Sequence, residues 1–121
     1  MEILKIDHVQ IAMPAGREED ARAFYGRALG IPEVQKPANL AVRGGVWFVR
    51  DALKVHIGVD PNFKPATKAR IAFEVSDLAG LITQCQSLGY RVTEDGPLEN
   101  YSRVYIYDPF GNRLEFMDPL S

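Results

Sequence analysis

The 121-residue chain contains two histidines, His8 and His56. Each stands at a position that recurs in a second, similar stretch of sequence, where Arg70 and Glu115 take the matching places. Two imidazoles, a guanidinium and a carboxylate at four matched positions form a set able to do chemistry. An imidazole changes charge near neutral pH and binds metal ions. A guanidinium and a carboxylate form charge-assisted hydrogen bonds, often two in parallel. None of the four can be buried cheaply without a partner or a metal ion.

The elements that position them follow from the repeat. Leu4 to Ala12 opens the first copy and Lys68 to Val75 the second. Each leads into a helix ending at Leu-Gly (Leu29-Gly30 and Leu88-Gly89). Each copy closes on a matching strand, Lys54 to Ile57 and Arg113 to Phe116. Such self-similarity at a fixed period points to a modular architecture. Leu4 to Met13 alternates as a strand, with Val9, Ile11 and Met13 on one face and Ile6, His8 and Gln10 on the other. Glu18 to Leu29 predicts a helix with an acidic first turn and Gly30 as its stop. A short extended piece is expected between Pro32 and Pro37. A strand pair, Val46 to Arg50 and Leu53 to Val59, is expected around Asp51-Ala52.

In the second copy a strand is expected over Arg70 to Val75. A helix follows, capped by Ser76 or Asp77, with Leu78, Leu81, Ile82, Cys85 and Leu88 as its core stripe. A short strand over Tyr90 to Thr93, a loop from Glu94 to Asn100 and a hairpin of Arg103 to Tyr107 with Arg113 to Met117 complete it. The hairpin turns at Asp108-Pro109-Phe110-Gly111-Asn112, where proline presets φ and glycine accepts positive φ.

Parity sends His8, Gln10, His56, Arg70, Glu74 and Glu115 to the side away from the helices. For the strand at 103–107 two registers remain open, facing either Tyr105 and Tyr107 or Val104 and Ile106 to that side. Trp47, Phe48 and Cys85 read as packing residues. Each copy thus reads strand, helix, three strands. The expected fold is α+β: two βαβββ modules forming a curved mixed sheet around a cleft, with helices outside. The whole is a single domain over 1–121, with module one at 1–60, a linker at 60–66 and module two at 67–121.

Composition narrows the partners. With 46% hydrophobic and 25% charged residues and a net charge of −2, the chain has no basic stripe for nucleic acid and no apolar stretch for a membrane. One cysteine precludes an internal disulfide, and the N-terminus lacks the apolar core of a signal peptide. A cytoplasmic location is the expectation.

The segments DPFGNRLEF (Asp108 to Phe116), AFYGRALGI (Ala23 to Ile31) and DHVQIAM (Asp7 to Met13) resemble the vicinal oxygen chelate superfamily. That superfamily includes glyoxalase I, extradiol dioxygenases, fosfomycin-modifying enzymes and bleomycin-resistance proteins. The resemblance implies paired βαβββ modules whose metal ligands come from the opening and closing strand of each module. The matching positions here are His8, His56, Arg70 and Glu115. Arg70 departs from the pattern, because a guanidinium offers no acceptor and cannot ligate.

Two outcomes follow. In one, His8, His56 and Glu115 hold one divalent metal (Fe, Mn, Ni or Zn) that chelates two adjacent oxygens of a small oxygen-bearing substrate. Arg70 and Gln10 then bind the substrate, Glu74 is the candidate base, and the activity is that of a lyase, isomerase or dioxygenase. In the other, Arg70 pairs with Glu115, no metal is held, and the protein binds or sequesters a small molecule in the manner of a bleomycin-resistance protein. The resemblance also implies a homodimer.

Overall fold

The computed structural model describes residues 1–96 and 99–119. The chain forms two compact units, Met1–Phe63 and Lys64–Ser121. The division falls inside the Asp60–Ala66 segment. Each unit holds one four-stranded mixed sheet, and the fold is α+β.

The first unit runs β1 (Val9–Met13), α1 (Glu18–Ala21), a π-helical continuation (Arg22–Ala28), β2 (Glu33–Val34), α2 (Ala38–Ala41), β3 (Val46–Arg50) and β4 (Leu53–Val59). Its strand order is β1-β4-β3-β2, with β1 parallel to β4 and the other neighbours antiparallel. Ile11, Met13, Val46, Phe48, Val55 and Ile57 form the buried face.

The first strand is shorter than the expected Leu4 to Met13. In its register Val9 faces Val55, and β4 begins at Leu53, so among the described residues the first ones lie beyond the end of β4. Ile3, Leu4 and Ile6 are accordingly more than four-fifths exposed. The expected helix is present but changes winding. Leu29 donates its N–H to the Phe24 carbonyl, five residues back, at 2.9 Å. The wider π-winding turns each residue through a smaller angle, and π segments are rare enough to need such a cause. Here it lets the consecutive aromatics Phe24 and Tyr25 both reach full burial beside Ala21 and Ala28. The short α2 was not expected.

The second unit runs β5 (Ala72–Glu74), α3 (Leu78–Ser87), β6 (Val92–Thr93), β7 (Tyr101–Tyr107) and β8 (Arg113–Pro119), in the order β5-β8-β7-β6. Its strand pairing repeats that of the first unit, with β5 parallel to β8. β5 is shorter than the expected Arg70 to Val75, and both hairpin strands run two residues longer than expected. Asp77, rather than Ser76, caps α3 by accepting the Gly80 N–H at 3.0 Å. Leu78 and Cys85 of the α3 stripe are buried, Leu81 and Ile82 half-buried, while Leu88 is exposed. Part of the Glu94–Asn100 loop, Pro97 and Leu98, lies outside the described residues.

The hairpin register settles the open alternative. Tyr105 faces Glu115 and Tyr107 faces Arg113, so the tyrosines share the face of Glu115. Val104, Ile106, Leu114 and Phe116 are buried on the other. No helix among the described residues is long and apolar enough to cross a membrane.

Candidate functional site

Strand register places the chemical residues in the same way in both units. In the first, His56 of β4 lies opposite Trp47 of β3 and beside Gln10 of β1, with His8 two residues before Gln10. In the second, Glu115 of β8 lies opposite Tyr105 of β7 and beside Ala72 of β5, with Arg70 two residues before Ala72. His8, Gln10, Trp47 and His56 therefore correspond to Arg70, Ala72, Tyr105 and Glu115.

The first set is a stack of rings. Trp47 and His56 lie 3.9 Å apart between centroids and 5° from parallel. His8 covers the other face of His56 at 4.2 Å and 24°. His56 is buried, and burial first, then the nearby His8, push its pKa below the usual histidine value. The more exposed His8 meets Asp7 through Nδ1 at 3.1 Å, and Asp7 also accepts from Lys54 Nζ at 3.3 Å. These contacts, the His8 hydrogen bond foremost, hold the Asp7 carboxyl below its usual range. Gln10 is exposed and lies over Gly58, where a Cβ would come 2.7 Å from the amide nitrogen.

The second set is an ionic network. Arg70 donates from Nε to Glu115 Oε1 at 3.2 Å and from Nη2 to the Tyr105 hydroxyl at 2.9 Å. Arg103 approaches the other carboxylate oxygen from Nη1 at 3.5 Å. The Glu115 side chain is 10% exposed, those of Arg70 and Arg103 23% and 17%. The Tyr105 hydroxyl donates to Asp95 Oδ2 at 2.6 Å, a bond that raises the phenol pKa. Arg113 donates from Nε to the Tyr107 hydroxyl at 2.9 Å, and Arg91 sits 4.4 Å from the Tyr107 ring centre. Burial opposes ionisation of Tyr107, but hydrogen bonds with Thr93 and Arg113 and their cationic surroundings lower its pKa on balance.

The structure thus brings His8 to His56 and Arg70 to Glu115. Glu74 is exposed and pairs in register with Met117. Trp47, read as packing, is a partner of His56; Tyr105 joins the second set through one of the two registers left open, and Arg103 and Asp95 join it unanticipated. Trp47 had a signal. A two-residue turn at Asp51-Ala52 sets the hairpin register by counting outward, and the count reaches Trp47 opposite His56.

Neither set, as arranged, suits a divalent metal. An imidazole lone pair lies in its ring plane, with the ion about 2 Å away along it. Two rings stacked face to face cannot both point such lone pairs at one ion. Glu115 already accepts from two guanidiniums, which would repel a cation. Among the described residues no group of three or more His, Cys, Asp and Glu side chains could hold a metal ion.

Residues 5–116 match the family model of the glyoxalase/bleomycin resistance protein/dioxygenase superfamily. A glyoxalase family protein from Bacillus anthracis is 44% identical, with 98% of each chain covered and a TM-score of 0.91. A glyoxalase/dioxygenase from Nostoc punctiforme is 20% identical over 100% of this chain and 99% of its own, with a TM-score of 0.74. A variant of the fosfomycin resistance protein FosX from Listeria monocytogenes, solved with Mn(II) and 1S,2S-dihydroxypropylphosphonic acid, is 15% identical. It covers 98% of this chain and 94% of its own at a TM-score of 0.82. At such identities the last two show a shared fold alone. None of the curated proteins matches the chain.

Proposed function

Because the chain belongs to the glyoxalase/bleomycin resistance protein/dioxygenase superfamily, we propose that it binds a small oxygen-bearing anion without a divalent metal. One observation carries this reading: the Glu115 carboxylate is held by Arg70 and Arg103. A guanidinium stands where the family pattern calls for a ligand, and it takes up the carboxylate that would otherwise ligate. The same face carries Arg113 and two tyrosines, a composition suited to carboxylate, phosphate or phosphonate oxygens. Arg70 and Gln10 are ligand-binding residues in this reading. His8 and His56 are stacked ring donors and acceptors rather than metal ligands. No base is assigned, and the protein acts by binding, as a bleomycin-resistance protein does.

Metal analysis and ligand screening test this together. Protein purified without chelator or affinity tag should carry less than about a tenth of a metal per chain, even after supplementation with Fe, Mn, Ni and Zn. Fosfomycin and dihydroxypropylphosphonic acid are the first compounds to screen. A ligand at about a hundred times its Kd should add about 2.7 kcal/mol of stability. Near-stoichiometric metal, lost on Glu115→Gln, would instead establish the metal-dependent reading.

The reading includes a cytoplasmic homodimer. Ile3, Leu4 and Ile6 stand exposed ahead of the edge strand β1, and an unpaired apolar edge seeks a partner strand. Light scattering should return twice the chain mass, and Leu4→Glu with Ile6→Glu should shift it toward the monomer. A monomeric wild-type protein at micromolar concentration would remove this part.

A further inference from the structure

The sheet face around Tyr105 is rich in positive charge. The guanidiniums of Arg70, Arg103 and Arg113 lie 4.8, 5.9 and 5.1 Å from its ring centre. Glu115, rooted in β8, neutralises part of that charge. A second carboxylate arrives from outside the sheet. Asp95, in the segment following β6, accepts from the Tyr105 hydroxyl at 2.6 Å and lies 3.7 Å from Arg103 Nη2. The adjoining Gly96 carbonyl accepts from the same Arg103 nitrogen at 3.1 Å.

We propose that Asp95 is a built-in competitor, its carboxylate occupying the place that a ligand's oxyanion takes on Tyr105 and Arg103. This rests on the anion-binding reading above. The surroundings of Asp95 match what such a ligand needs. A short hydroxyl-to-carboxylate bond and a nearby guanidinium are what a carboxylate, phosphate or phosphonate oxygen would seek. Arg70 donates to the Tyr105 hydroxyl and so turns its proton outward, toward the anion.

The two carboxylates differ in how easily they leave. Glu115 is 10% exposed and would strand two guanidiniums. Asp95 is 54% exposed and sits on a loop, so water can take it over at little cost. An incoming anion then exchanges one carboxylate for another with the charge balance kept. Apparent affinity is reduced by the fraction of molecules in which Asp95 holds the site.

The test is isothermal calorimetry with inorganic phosphate, methylphosphonate and acetate on full-length wild type, Asp95→Asn, Tyr105→Phe and the variant carrying both changes. Asp95→Asn should bind at least one of the three about tenfold more tightly than wild type. Tyr105→Phe should lose that binding with Asp95 present or replaced. Equal or weaker binding by Asp95→Asn, with wild type still binding, overturns the competitor and leaves the anion-binding reading standing. No binding by either protein at millimolar concentrations removes both.

Discussion

Glu115→Ala is expected to lower the stability of the second unit by about 2–3 kcal/mol, seen as a drop of roughly 10 °C in its melting transition. Removing one member of a buried ion pair costs about 3–5 kcal/mol, because the charge left behind stays desolvated. The lower figure applies here because Arg70 and Arg103 keep some contact with water and other acceptors. Arg70 retains the Tyr105 hydroxyl and the Lys68 carbonyl, and Arg103 retains the Gly96 carbonyl. Replacing all three charged residues by methionine should return stability to within about 1 kcal/mol of wild type, since an apolar substitute of similar volume commonly matches a buried ionic cluster. Urea denaturation of both variants is the measurement. A loss below about 1 kcal/mol for Glu115→Ala would mean that the guanidiniums are already well solvated, leaving the carboxylate available for other duties. If the methionine variant folds well but binds no anion, the cluster serves recognition rather than stability.

How much of this was legible in the chain depends on which physical constraint applies. Alternation placed Gln10, His56 and Glu115 on their faces, because a strand's side-chain period admits no other arrangement once Val55, Ile57, Leu114 and Phe116 are buried, whereas His8 and Arg70 stand just ahead of β1 and β5 and are placed by their contacts with His56 and Glu115. The helix change at Arg22 was not legible, since two adjacent aromatics at Phe24 and Tyr25 are compatible with either winding until both must be buried. The length of the first strand was not legible either. Leu4 and Ile6 alternate as well as Ile11 and Met13 do, and only the start of β4 decides where pairing ends. Arg70 was read as the partner of Glu115 in one of the two outcomes, but its second partner, Arg103, was hidden by the hairpin register, which depends on a five-residue turn rather than on strand composition. Arg103 and Asp95 come within reach only once that register is known, Asp95 from a loop whose path no periodicity describes.

That turn is the second place where a large effect is expected, and its cause is structural although its sequence helps to mark the family. Asp108 Oδ1 accepts from the N–H groups of Phe110 and Asn112, each at 2.9 Å, and Oδ2 accepts from the Asn112 amide at 2.8 Å. Asn112 in turn accepts from the Ala66 N–H at 2.9 Å, tying the start of the second unit to its last hairpin. Both side chains are at least 96% buried. Asp108→Ala removes the acceptor of three buried hydrogen bonds and is expected to cost about 3–4 kcal/mol.

Asn112→Asp sharpens the point through pH. It sets a second carboxyl against Asp108 in a buried turn, where burial and like charge both raise its folded pKa above the unfolded value of about 3.9. The unfolded state then gives up its proton first as pH rises. Stability is retained below about pH 4 and lost as pH climbs through the folded pKa. Melting curves of Asn112→Asp against wild type between pH 4 and 8 should diverge as pH increases. Parallel curves would show that water reaches the turn and that its hydrogen bonds do not hold the hairpin register. Tyr105 would then need another device to keep it facing Glu115.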